Sequence, residues 1–153
     1  MTPRSPVWIE HDKGCILLKC EAKIGIARTI CQIMAREGIN IEYMVTATMP
    51  KEKEGTIVII VSAANLKKAI DVLKSARKEI ALKSLKSEVL TCITVDIVKV
   101  RHVPGVGAKL FAEFAERKIG VLIAITTAAG MKFYVRPEDA TPAIISALRR
   151  LVE

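Results

Sequence analysis

Residues 24–41 read IGIARTICQIMAREGINI, and residues 104–121 read PGVGAKLFAEFAERKIGV. Laid over each other at a constant offset of 80, they pair Gly25 with Gly105, Ile26 with Val106, Ile30 with Leu110, Met34 with Phe114, Ala35 with Ala115 and Ile39 with Ile119. Each is an amphipathic helix opened by a glycine. In the first, Ile26, Ile30, Ile33 and Met34 fall on one face, while Arg28, Gln32 and Arg36 fall away from it. A repeat on this scale decides how everything around it is to be read.

The flanks repeat as well. A β-rich run precedes each helix, Cys15–Cys20 and Val89–Val100, and another follows, Ile39–Thr48 and Ile119–Thr127. Turns come next, at Pro50–Gly55 and Ala128–Gly130, then strands at Thr56–Ser62 and Met131–Arg136. Second helices follow these. Asn65 is a candidate cap for the first, which buries Leu66, Ala69, Ile70 and Leu73. For the other, Thr141 fits the cap, Pro142 the first helical position, and Ile144, Ile145, Leu148 and Leu151 the buried face. The first copy then continues into a strand near Glu79–Leu85. The order is that of a ferredoxin-like βαββαβ module, so the fold class is α+β.

The second copy lacks room for its last strand, because its final helix runs to the end of the sequence. The alternating segment Val7–His11, VWIEH, belongs to neither copy. It is expected to supply the missing strand. Residues 13–87 then form a first module, inserted in a second made of residues 5–12 and 88–153.

Composition limits the remaining choices. Half the chain is hydrophobic (51%), but only 4% is aromatic, so the core must be built of aliphatic side chains. The longest apolar runs, Thr56–Ala64 and Ile119–Ala129, are too short to span a membrane. Residues 1–12 lack the apolar stretch of a secretion signal, and the expectation is a soluble, cytoplasmic protein. Cysteines 15, 20, 31 and 92 form no CxxC pair and read as reduced hydrophobes. With only His11 and His102, no metal or cofactor motif stands out. The net charge of +8 keeps nucleic acid and acidic surfaces in view. The lysines are nonetheless spread along the chain rather than gathered in a stripe.

The stretches KIGIARTICQIMAREGINIEYM, RHVPGVGAKLFAEFAERKIGV and KFYVRPEDATPAIISALRRL resemble the ACT-domain family, and more narrowly the tandem regulatory region of aspartate kinases without the kinase domain. That resemblance implies amino-acid binding at the turn between the first strand and first helix, often across a dimer interface. Ligand contacts would come from Glu21, Gly25, Ile26, Ala27 and Thr46 in the first copy and from Gly105, Val106 and Thr126 in the second. The glycines let a backbone approach closely, and free amides at the helix start favour a carboxylate. Where the family places an aspartate three residues before the glycine, this chain has Ala22 and His102. Glu21 is either a substitute carboxylate or a solvated surface glutamate. The implied function is a non-catalytic, amino-acid-binding allosteric regulator of a biosynthetic enzyme of the aspartate pathway. Lysine or threonine would be the ligand and a homodimer the assembly. A ligand-free protein–protein scaffold is the alternative.

Other readings have specific requirements. VPGVGAKLF at 103–111 also resembles the hairpin of a helix-hairpin-helix DNA-binding motif, which needs a helix before it; Val89–Val100 instead has strand character. An RNA-stacking sheet needs aromatics on one face, but Phe133 and Tyr134 are adjacent and point to opposite faces. No acid pair or nucleophile–base set marks an enzyme.

Overall fold

The computed structural model describes residues 4–153. The chain divides into two compact units: Asp12–Val89, here the front unit, and the residues up to His11 together with Leu90–Glu153, here the back unit. Each is a four-stranded antiparallel sheet with two helices packed on one face.

The front unit takes the second half of strand β1 (Val7–Glu21), then helix α1 (Ile26–Arg36), strands β2 (Tyr43–Ala47) and β3 (Glu54–Ser62), helix α2 (Ala63–Ser75), and the first half of strand β4 (Leu82–Asp96). Its strands lie in the order β2-β3-β1-β4. Leu17 pairs with Val58, and Val58 with Val45. The Glu21 amide donates to the Ala81 carbonyl at 3.0 Å, closing the β4 side. Alternation along the strands sends Ile16, Leu18 and Cys20 of β1 and Ile57, Ile59 and Val61 of β3 to the helix-covered face. There they meet Ile26, Ile30, Ile33 and Met34 of α1, the four residues whose spacing marked its apolar face, and Ala69 and Leu73 of α2.

The back unit takes the first residues of β1 and the second half of β4. It adds helix α3 (Val106–Glu116), strands β5 (Ile123–Thr126) and β6 (Gly130–Val135), a 3-10 turn at Pro137–Asp139, and helix α4 (Pro142–Val152). The strand order is β1-β4-β6-β5, with Ile93 opposite Phe133 and Phe133 opposite Ala124. The N-terminal strand completes this second module: the Asp96 amide donates to the Pro6 carbonyl at 2.7 Å, and Val7 is buried with Ile93, Val95, Leu110, Phe133 and Ile144. Phe133 carries the packing, its ring 4.7 Å from that of Phe114 and 5.2 Å edge-on from that of Phe111. On the opposite face Glu10 accepts from Thr94 at 3.1 Å and from Lys132 at 3.2 Å.

The helix ends preserve the repeat. In α1, Gly38 adopts a left-handed φ of 68° while the Ile39 amide returns to the Met34 carbonyl. Eighty residues on, Lys118 takes φ 56° and the Ile119 amide returns to the Phe114 carbonyl. Both are left-handed stops of the kind glycine favours. The start of α4 matches expectation: Thr141 precedes Pro142, and its side chain accepts from the Ile144 amide.

Several boundaries differ from the sequence expectations. Val7–His11 and Cys15–Cys20 are not separate strands. They are one strand of 15 residues running through the polar His11–Gly14 segment, with Asp12 at φ 57°. Likewise the segments near Glu79–Leu85 and Val89–Val100 are joined in β4, which begins at Leu82 and stops at Asp96, leaving residues 98–100 in a turn. The intervening Lys86–Glu88 is polar and exposed, and a strand tolerates such residues where its side chains face water. Asn65 does not cap α2. The residue before the helix is Ser62, and no side chain bonds the free amides. Leu66, Ile70, Ile145 and Leu151 pack only at core margins, while Ala147 and Val152 are buried. No described helix is long and apolar enough to cross a membrane.

Candidate ligand site

The site is assembled where β1 ends. After Glu21 the chain turns tightly: the Lys23 amide donates to the Glu21 carbonyl, and the Ala22 amide to the Lys53 carbonyl, both at 2.9 Å. Gly25 then sits at φ 93° immediately before α1. A side chain here would meet no atom within 4 Å, so the backbone angle rather than space favours glycine. The helix ladder begins with the Thr29 amide donating to the Gly25 carbonyl at 2.9 Å, and no side chain caps the helix start. The amides of Ile26, Ala27 and Arg28 therefore have no partner within the helix.

Beside this helix tip lies a cavity of about 330 Å³. Its wall brings together Glu21 from β1, Gly25, Ile26 and Ala27 from the start of α1, and Thr46 from β2. Cys20, Thr48, Gly55 and Ile57 complete much of the lining. Gly55 is tied to Thr48, whose hydroxyl a side chain at position 55 would run into. These last contributors were not singled out in the sequence. The alternation that buries Cys20 and Ile57 looks the same for a cavity floor as for any core position.

Electrostatics here are set by lysines. Glu21 Oε2 pairs with Lys23 Nζ at 2.9 Å and Oε1 with Lys83 Nζ at 3.3 Å. The hydrogen bonds from Lys23 and Lys83, helped by their charge, hold its carboxyl below the usual glutamate range. Glu21 is thus a half-exposed, doubly engaged carboxylate. Lys83, far away in sequence, carried no signal of this. Burial pushes the Cys20 thiol up, so it lines the cavity as a neutral group.

The second-copy candidates lie in the back unit. Gly105 adopts φ 90°, Val106 opens α3, and Thr126 is the last residue of β5. At the helix tip the two copies are alike: a left-handed glycine and no side-chain cap. His102, at the family's aspartate position, accepts at Nε2 from Arg101 Nε at 3.2 Å.

Other candidates find no support in the geometry. A strand, β4, precedes the 103–111 hairpin where a DNA-binding hairpin needs a helix. Phe133 lies in the core and Tyr134 is buried, so neither offers a ring for a base to stack on. Among the described residues, no group of three or more histidines, cysteines or acids could hold a metal ion.

Two βαββαβ units, each with a glycine-opened helix tip beside its sheet, define a tandem ACT-like fold of the type found in aspartate kinase regulatory regions. The sequence comparison covers the front unit, and the structural comparisons cover the fold of the whole chain. Residues 16–81 match the model of the AHAS small subunit-like ACT domain. The regulatory subunit of aspartate kinase from Thermus flavus superposes with a TM-score of 0.84 at 20% identity, covering 97% of each chain. The ligand-free regulatory subunit from Thermus thermophilus gives 0.81 at 21% identity, covering 96% of this chain and 97% of that one. The aspartate kinase of Synechocystis gives 0.83 at 16% identity; 95% of this chain overlies 26% of that one. No curated protein sequence matches the chain.

Proposed function

We propose that this protein is a non-catalytic, amino-acid-binding allosteric regulator of a biosynthetic enzyme of the aspartate pathway, acting in the cytoplasm as a homodimer. Residues 13–87 serve as the first module and residues 5–12 with 88–153 as the second. One observation carries the reading. Glu21, Gly25, Ile26, Ala27 and Thr46, drawn from three elements, converge on a single cavity at an uncapped helix tip. Free amides and the helix dipole favour a ligand carboxylate there, and Ile26 and Ile57 offer apolar surface to a side chain. Gly105, Val106 and Thr126 are the corresponding contacts of the second copy. Ligand binding favours one arrangement of the dimer, and that arrangement biases the partner enzyme.

A thermal-shift and calorimetric screen of the twenty amino acids, beginning with lysine and threonine, tests the proposal. A saturable shift that Thr46→Val or Gly25→Val removes supports it. Silence from every amino acid at millimolar concentration counts against it.

A second reading has its own support. Ala22 brings no carboxylate to a ligand ammonium, and that of Glu21 is shared by two lysines. Ile24 is fully exposed in the loop at the cavity, and Met49 largely so in the turn after β2. An apolar lip of this sort suits a ligand-free protein–protein scaffold. Loss of partner binding in Ile24→Asp, with no amino acid bound, would favour it.

A further inference from the structure

A different cavity, of about 660 Å³, lies in the back unit where β1 begins, β4 ends and the last turn of α4 passes. Arg4, Lys99 and Arg149 line it, with the carboxylates of Asp96 and Glu153. Arg149 stands out. Its Nε is buried and has no hydrogen-bond partner among the described residues. Buried donors are almost always satisfied, yet no carboxylate among the described residues forms an ion pair with this guanidinium, and its Nε lacks an acceptor. Asp96 does not provide it; its Oδ1 accepts instead from the Val98 amide at 2.9 Å, which fixes the loop carrying Lys99. Arg4 lies over the Trp8 ring, 4.4 Å from its centre, which leaves Lys99 as the cation available to act with Arg149. Pro6, Val98 and Val152 give the same cavity an apolar wall.

We infer that this cavity is a binding site for a small oxyanion, a carboxylate or a phosphate group, held by Arg149 and Lys99 with the rest of the molecule against the apolar wall. A guanidinium fork matches the paired oxygens of either group. The volume falls within the roughly 300–1,000 Å³ usual for small-molecule sites. The site is separate from the cavity at α1 and stands whether or not that one takes an amino acid.

The test uses the full chain in a zwitterionic buffer, titrated with sodium phosphate or sodium succinate against sodium chloride of matched ionic strength. Thermal shift and calorimetry are read for wild type, Arg149→Met, Lys99→Met and the exposed neighbour Arg150→Met. At least one oxyanion should raise Tm beyond chloride. Arg149→Met should weaken that binding at least tenfold, Lys99→Met should weaken it less, and Arg150→Met should leave it unchanged. Response to phosphate alone, or to succinate alone, identifies the group the site takes. Without oxyanion, Arg149→Met should unfold at the wild-type temperature or above it, since methionine removes an unmet donor. A shift no larger than that of chloride, equal binding by Arg149→Met, or a lower Tm of that variant without oxyanion would each overturn the inference.

Discussion

At the scale of single residues, the two copies carry a built-in comparison. Gly38 and Lys118 occupy equivalent left-handed helix stops, but only Gly38 adopts the angle without steric cost. Lys118→Gly should therefore stabilise the protein by about 0.5–1 kcal/mol, part of the strain relief being offset by a more flexible unfolded chain. Urea denaturation checks this. Gly25→Ala should move the other way, costing about 1–2 kcal/mol through backbone strain alone, because nothing lies within 4 Å of the added carbon. The ion pairs of Glu21 give a pH signature. Its carboxyl titrates lower in the folded chain than in the unfolded one, so its contribution is complete above the unfolded value and disappears as pH falls through the folded one. The Tm gap between wild type and Glu21→Gln should be constant above roughly pH 5, narrow below about pH 4.3 and shrink with salt. Much of the α1 cavity could be read from sequence because Gly25, Ile26 and Ala27 are local to one motif. Lys83 could not, since its approach to Glu21 follows from a strand pairing across some 60 residues.

At the scale of elements, helices were more legible than strands. A periodicity of 3.6 over eleven residues separates a buried face from a wet one, and the buried set of α1 follows from it directly. Thr141 and Pro142 similarly announce the start of α4; Thr141→Ala should cost about 1 kcal/mol, measurable by chemical denaturation. Strand limits were harder. The His11–Gly14 and Lys86–Glu88 segments carry polar residues that look like loops, and only pairing with neighbours keeps them extended. Asn65 misled for a related reason. Its propensity suits a cap, but the chain enters α2 directly from β3 at Ser62, three residues earlier. Val7 shows what the N-terminal strand contributes. It is 1% exposed within the core of the back unit, so Val7→Asp buries a charge without a partner and should cost 3 kcal/mol or more, on the order expected for such groups. Loss of protection at Ile93 and Phe133 in hydrogen exchange would register it.

At the scale of the whole molecule, β1 and β4 each belong to both units, and neither unit can lose its sheet without disturbing a strand of the other. Urea unfolding followed by the fluorescence of Trp8, the chain's only tryptophan, should therefore coincide with trapping of the buried Cys20 thiol, although the two residues report on different units. Two separated midpoints would contradict this coupling. The interleaving also imposes an order on biosynthesis. Val7–His11 leaves the ribosome long before the far half of β4 that must pair with it, so the segment travels unpaired while the stretch from Asp12 to Val89 is still being translated. Such an edge is open to wrong neighbours. Glu10 and His11 in VWIEH are adjacent and so put one charged or polar group on each face of the segment; such residues protect a strand kept waiting.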